Sequence, residues 1–290
     1  MAMEAVASRP IARLDRRIFL ALPALIWFLG FLLIPLFIVV IYSLATRGEY
    51  GAVTFNFSLG NYFRIFDSVY LKIFLRSLQL AAVTSISCLL LGFPVAYVMA
   101  TASPRWRQIL MAMVVIPFWT NFVIRAYAIK FLLSDYGLIN SLGMFLHLWS
   151  EPIYFSNSAF SVWLGMVTNY IPFMILPLYV SLEKFDFTML EAARDLGASS
   201  WNSFWKVLVP LIKTGLITGL IFVFTPALGE FVVPDLLGGA KTMLIGNLIT
   251  EQFMKTRDWP FGSALSLLLI VAVLVSLTIY LTNRDSRVQH

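Results

Sequence analysis

The stretch Thr188-Met189-Leu190-Glu191-Ala192-Ala193-Arg194-Asp195-Leu196-Gly197-Ala198-Ser199-Ser200-Trp201, continued by Phe204-Trp205-Lys206 to Pro210, lies between two long apolar runs. Its residue order asks for two short helices. Thr188 and Glu191 stand three apart, the spacing of a capping box that opens a helix. Gly197 suits the left-handed residue that closes one, and Ser199 or Ser200 suits the cap of the next. Trp201, Phe204, Trp205 and Leu208 recur at i, i+3, i+4 and i+7, an apolar stripe expected to stop at Pro210. Ala192 and Ala193 add no bulk, so another backbone can approach them, while Glu191, Arg194 and Asp195 surround the contact with charge. The pattern predicts a docking surface. The plainer alternative is a capped interfacial helix in which Glu191 serves the cap alone.

Working outward, the chain is 60% hydrophobic and only 12% charged, the composition of a membrane protein rather than a soluble domain. A helical span needs about 20 apolar residues. Six such runs are present, near 18–44, 75–100, 108–132, 160–182, 211–234 and 262–282. The expectation is an all-α membrane protein: one six-span domain over 18–282, a flexible tail at 1–17 and another at 283–290. Arg13, Arg16 and Arg17 imitate the start of a signal peptide, but the apolar run that follows is too long for one and contains Pro23 and Pro35.

Basic residues set the expected orientation. Arg9, Arg13, Arg16 and Arg17 precede the first span, and Arg105 and Arg107 lie between the second and third. Lys184, Arg194, Lys206 and Lys213 belong to the fourth loop, and Arg284 and Arg287 to the tail. Residues 134–159 hold no Lys or Arg. Both termini and the 183–210 loop are therefore expected in the cytoplasm. The formal net charge of +6 is largely this topology signal and calls for no nucleic-acid partner.

Reaction chemistry has little support. Cys88 is the single cysteine, so no disulfide framework exists, and the two histidines, His147 and His290, form no metal-ligand spacing. Gly238-Gly239-Ala240-Lys241-Thr242 imitates a phosphate-binding loop but lacks the glycine before the lysine. No nucleophile stands with a base and an orienting group. No catalytic residue, metal site or cofactor site is expected; any ATP must be bound by a separate subunit.

Polar groups at membrane depth are costly and tend to mark a pathway. Arg125 and Glu230 fall in the outer halves of the third and fifth runs. They line or gate a polar route, or else pair with each other or sit in the headgroup region. Trp119 follows Pro117, and Asn169 and Tyr170 precede Pro172, so hydrogen-bonding groups sit beside expected helix breaks. Trp119, Tyr127 and Tyr170 alternatively belong to an interfacial aromatic belt.

Glu191-Ala192-Ala193, with Gly197 six residues after the Glu and Pro210 downstream, resembles the loop of ABC importer permeases that engages the ATPase. Two further stretches narrow the resemblance. One is Ile116-Pro117-Phe118-Trp119-Thr120-Asn121 with Arg125 and Tyr127; the other is Gly229-Glu230-Phe231 to Pro234, with Arg257-Asp258-Trp259-Pro260. Over roughly 18–282 the chain looks like the first permease subunit of spermidine/putrescine importers; permeases for opines, aminoethylphosphonate, sulfate or ferric iron are related. The resemblance implies a type I importer permease with six transmembrane helices and a cytoplasmic coupling helix, in a bacterial inner membrane. It also implies a pair of ATPases, a second permease and an extracytoplasmic binding protein. Glu191, Ala192, Ala193, Asp195 and Gly197 would couple to the ATPase. Trp119, Arg125, Tyr127, Asn169, Tyr170 and Glu230 would be candidates for the substrate path. A secondary transporter is the rival class, but neither inverted repeats nor paired broken helices are evident.

Overall fold

The structure, a computed structural model, describes residues 12–239 and 242–285. Most of the two expected tails, 1–11 and 286–290, and Ala240 and Lys241 lie outside the described residues. In chain order, α1 (Ala12–Leu44) leads into a two-stranded antiparallel hairpin, β1 (Thr46–Arg47) with β2 (Val53–Thr54). Then come α2 (Gly60–Ile65), α3 (Ser68–Thr101), α4 (Pro104–Val115), α5 (Phe122–Leu132), α6 (Leu138–Phe145) and α7 (Ala159–Glu183). The remainder is α8 (Thr188–Asp195), α9 (Ser200–Ser203), α10 (Val209–Leu228), α11 (Val232–Leu237), α12 (Ile245–Met254) and α13 (Trp259–Asp285).

Five helices are long and apolar enough to cross a membrane among the described residues, and a bent pair supplies a sixth crossing if counted as one span. That pair corrects the straight span expected over 108–132. α4 gives way to a 3-10 turn at Ile116–Trp119, and α5 starts afresh at a 98° bend. The cause is local. Thr120 and Asn121 are extended, and the Asn121 side chain accepts from Val123 N at 2.8 Å, capping α5 as a new helix. α7, by contrast, runs unbroken through Pro172 and Pro177. α1 starts at Ala12, inside the stretch read as a tail. α3 starts at Ser68 rather than near 75; its 34 residues make it about 50 Å long, well beyond a hydrocarbon core of about 30 Å.

The fifth span differs most. Pro210 was expected to end a stripe, yet one helical rod runs from Ser200 to Leu228. A single wide π-helical turn at Phe204–Leu208, closed by Val209 N donating to Phe204 O, carries the chain into α10 with Pro210 in its first turn. A proline there lacks only a donor that a helix start leaves unused. The rod ends at Leu228, not 234, so Glu230 lies in the Gly229–Phe231 break before α11.

Around one centre pack α3, α7 and α10, with α1 set to the side against α13. Their buried set includes Met99, Met166, Met174, Leu178, Leu182 and Ile212. Lipid is as apolar as leucine, so helix association in a bilayer leans on close packing and small residues. Here Gly92 faces Met174 and Ile175, Gly215 faces Ser181, and Gly219 faces Met174. At the other end Gly165 lies against Val233 and Leu237, seating α11 on α7, and Ser161 Oγ donates to Leu237 O at 2.7 Å.

Candidate functional site

The 184–208 loop folds as two capped helices, with one cap reassigned. Thr188 does not cap α8. Asp186 accepts from the Thr188 amide at 3.0 Å and its hydroxyl at 2.8 Å, while Glu191 takes no part. Both residue types cap well, so spacing alone could not choose between them. At the far end Gly197 has φ +86°, its N–H donates to Arg194 O at 2.8 Å, and Ala198 N donates to Ala193 O at 3.0 Å. That pair of bonds is a Schellman closure, which needs a left-handed residue at Gly197. Ser199 then caps α9 by accepting from Asn202 N at 3.2 Å.

Only Leu190 of α8 is buried. Glu191, Ala192 and Asp195 are exposed, Ala193 is half-buried, and Leu196 just past the helix is 90% exposed. α8 rests on α3 through Phe187, whose ring lies 5.8 Å from that of Tyr97, and Leu190 borders a cavity of about 360 Å³ with Phe93 and Phe204. Just before it, Arg107 of α4 donates to Glu183 Oε1 at 3.1 Å and to Ala100 O at 3.1 Å, and Tyr179 OH donates to Glu183 Oε1 at 2.6 Å. These bonds tie the ends of α3, α4 and α7 together where the loop that carries α8 leaves α7.

The cap responds to pH. Hydrogen bonds from the Thr188 hydroxyl, then from its amide, hold the Asp186 carboxyl below the usual carboxylate range. The folded value is the lower one, so the cap's stabilisation is complete above the unfolded value and disappears as pH falls through the folded one. Asp186→Ala is expected to speed amide exchange at Thr188 at neutral pH, and Asp186→Asn, which keeps an acceptor, to speed it less. Unchanged exchange in the alanine variant would show that the cap does not hold α8.

A larger cavity, about 950 Å³, opens between α7 and α10. Its lining includes Phe118, Phe173, Phe222, Ser181, Thr214 and Thr218, together with Lys184 and Asp186 from the loop before α8. None of the residues singled out from the sequence for a substrate path lines it. The available signal was the pair Thr214 and Thr218, two hydroxyls one turn apart beside Gly215 and Gly219 in an apolar helix.

Of those singled-out residues, the structure brings Tyr170 and Glu230 together. Tyr170 OH donates to Glu230 Oε2, and Glu230 Oε1 accepts from the backbone N–H of Phe231 (3.0 Å), Val232 (2.8 Å) and Val233 (3.2 Å). The carboxylate, 7% exposed, caps α11 and ties it to α7. Asn169 is 3% exposed and neither of its amide atoms is hydrogen-bonded. The half-buried Arg125 does not pair with Glu230; its Nε is buried without a hydrogen bond. Trp119 and Tyr127 are 88% and 54% exposed.

Residues 89–288 match the family model described as binding-protein-dependent transport system inner membrane component. The chain belongs to this family. Its spanning helices are accordingly those of a multi-pass inner membrane component of a transport system. The spermidine/putrescine transport system permease protein PotB of Haemophilus influenzae is 41% identical over 254 residues, 88% of this chain and 89% of that protein. Among solved structures, a bacterial ABC transporter involved in import of the acidic polysaccharide alginate superposes with a TM-score of 0.70 at 20% identity, covering 94% of this chain and 99% of the other. A bacterial alginate ABC transporter in complex with alginate pentasaccharide-bound periplasmic protein gives a TM-score of 0.71 at 19% identity, over 96% and 99%. At such identity the likeness is one of fold, and it makes the fold of this inner membrane component that of a type I ABC importer permease.

Proposed function

We propose that the chain is a membrane-spanning subunit of an ATP-driven importer of spermidine and putrescine, and that α8 is the helix through which a separate ATPase drives it. The observation carrying this reading is α8 itself: a helix with one buried residue and small and charged side chains outward, seated against the Phe204–Leu208 turn and, through Phe187 just before it, against Tyr97 of α3. The identity to PotB over 88% of the chain supports the substrate class. Glu191, Ala192, Ala193, Asp195 and Gly197 form or shape the docking face. The 183–210 loop and both termini lie in the cytoplasm, a reading that the arginine and lysine bias supports although Arg47, Arg64, Lys241, Lys255 and Arg257 fall in outer loops.

Two ATPase subunits, which bind the ATP, dock on this chain and on a second permease. The second permease packs along the α7–α10 face and closes the 950 Å³ cavity into a route. An extracytoplasmic binding protein delivers the cargo, a role supported by the alginate transporter's complex with an alginate pentasaccharide-bound periplasmic protein. Within the cavity, the faces of Phe118, Phe173 and Phe222 attract ammonium groups, and Ser181, Thr214 and Thr218 offer hydroxyl acceptors. Glu230 and Tyr170 act as positioning residues for α11.

The test is uptake of labelled putrescine and spermidine by cells stripped of other polyamine importers, with the chain and its partner subunits present or absent. Uptake is expected only with the chain, competed by unlabelled spermidine and not by sulfate. Uptake independent of the chain, or competition by sulfate, would overturn the substrate assignment.

A further inference from the structure

The segment joining α1 to α3 turns several of its polar side chains into the protein. Tyr62 OH and Ser43 Oγ are 2.7 Å apart, and Asn61 Nδ2 donates to Ser43 O at 2.9 Å and Ala45 O at 2.8 Å. Arg64 donates to Asp258 Oδ2 at 2.7 Å and to Tyr70 OH at 3.1 Å, with its guanidinium 4.0 Å from the centroid of the Phe261 ring. Asp258, 2% exposed, also accepts from Phe261 N at 3.2 Å and so caps α13. Ile65 is buried against Phe261 and Leu265, but most of the segment's other apolar side chains point away: Phe57, Phe63 and Phe66 are 73%, 73% and 74% exposed, with Phe55 and Val69 at 58% and 62%.

In water this arrangement is upside down. Each of these side chains would gain about 1.5–3 kcal/mol from burial, while the half-buried Asn61, Tyr62 and Arg64 beside them are polar. Scattered exposed phenylalanines need no explanation, but a continuous strip opposite a polar interior does. The strip has no edge where it meets the spans: it runs on into exposed Leu71 and Leu75 of α3 and lies beside exposed Ile38 and Val40 of α1. Four polar side chains, Thr54, Asn56, Asp67 and Ser68, are exposed within it, and Lys72 is exposed one turn into α3. That mixture of aromatic rings, sparse polar groups and a lysine suits the headgroup boundary rather than the hydrocarbon centre.

We propose that residues 53–69 are seated in the lipid headgroup–acyl boundary as a collar, with Phe57, Phe63 and Phe66 as its anchors and anionic phospholipid beside Lys72. Through Arg64 and Asp258 the collar sets the depth of the first residues of α13 as well as of α3. The occupant is lipid and not a water-soluble protein, because the strip is continuous with the faces of α1 and α3 that cross the bilayer.

The test uses the full chain with Cys88→Ala, reconstituted in vesicles of phosphatidylethanolamine and phosphatidylglycerol. Spin labels are placed one at a time through Phe57→Cys, Phe63→Cys and Phe66→Cys, with Glu151→Cys as an exposed-loop control. Power saturation is expected to give greater access to oxygen than to a water-soluble nickel chelate at positions 57, 63 and 66, at a depth of about 5–10 Å below the phosphates. The control is expected to show the reverse. Nickel access at the three positions equal to the control would overturn the proposal, as would protection from both reagents that appears only when other subunits are added, since that assigns the strip to a protein partner.

Discussion

Gly197→Val is expected to abolish ATP-coupled uptake while the chain still reaches the membrane in normal amount. The position has φ +86°, and a Cβ there meets no atom within 4 Å, so the effect is conformational rather than steric. A β-branched residue in the left-handed region costs about 1–3 kcal/mol. Relief comes by opening the two closing bonds from Gly197 N and Ala198 N, which lets α8 swing on its single buried residue, Leu190. Gly197→Asn, which tolerates this region better, is expected to keep much of the uptake. Measuring transport and ATP hydrolysis together in proteoliposomes decides it. Parental coupling in Gly197→Val would remove α8 from the mechanism.

The second large effect is expected at Glu230. Glu230→Ala leaves the buried Val233 N–H and Tyr170 hydroxyl without partners and uncaps α11, a loss of about 3 kcal/mol or more at about 1–3 kcal/mol per orphaned group. The detergent-solubilised chain is expected to show a clearly lower thermal midpoint. Glu230→Gln keeps an oxygen for the three N–H donors and an amide for Tyr170, so its midpoint and its uptake are expected near the parent's. An alanine variant as stable as the parent would refute the positioning role. If the glutamine variant is stable but transports slowly, the charge itself attracts the cargo, the reading the sequence suggested.

Those two residues differ in how they could be read. Gly197 announces itself because an α8 sequence followed by Gly, then Ser199, has few other ways to close. Glu230 does not: an acid near the end of an apolar run looks like a charge in a pathway, and only the fold supplies the donors that occupy it. Arg125 was open to pairing with Glu230, but Tyr170 and three backbone N–H groups occupy the Glu230 oxygens instead. The cavity between α7 and α10 was illegible for a related reason. Its lining comes from three separate stretches, and apart from Thr214 and Thr218 beside their glycines none of them differs from ordinary apolar packing.

Local chemistry determined the all-helical membrane class, the six apolar runs and the two short helices of the 184–208 loop, because apolar run length, caps and left-handed glycines act over a few residues. It also determined the left-handed turn at Gly197 and the cap at Ser199. The choice of Asp186 over Thr188 at the start of α8 is local as well, made between residues two apart that both suit it. Tertiary structure decided that Pro210 rides inside a continuous rod through a π-turn, where proline spacing alone argued for a stop. Most of all it decided which polar groups meet, since Tyr170 with Glu230 and Arg64 with Asp258 are 60 and 194 residues apart in sequence. A buried polar group is settled by whatever donors the packed fold carries to it, and no span of sequence around it records what those will be.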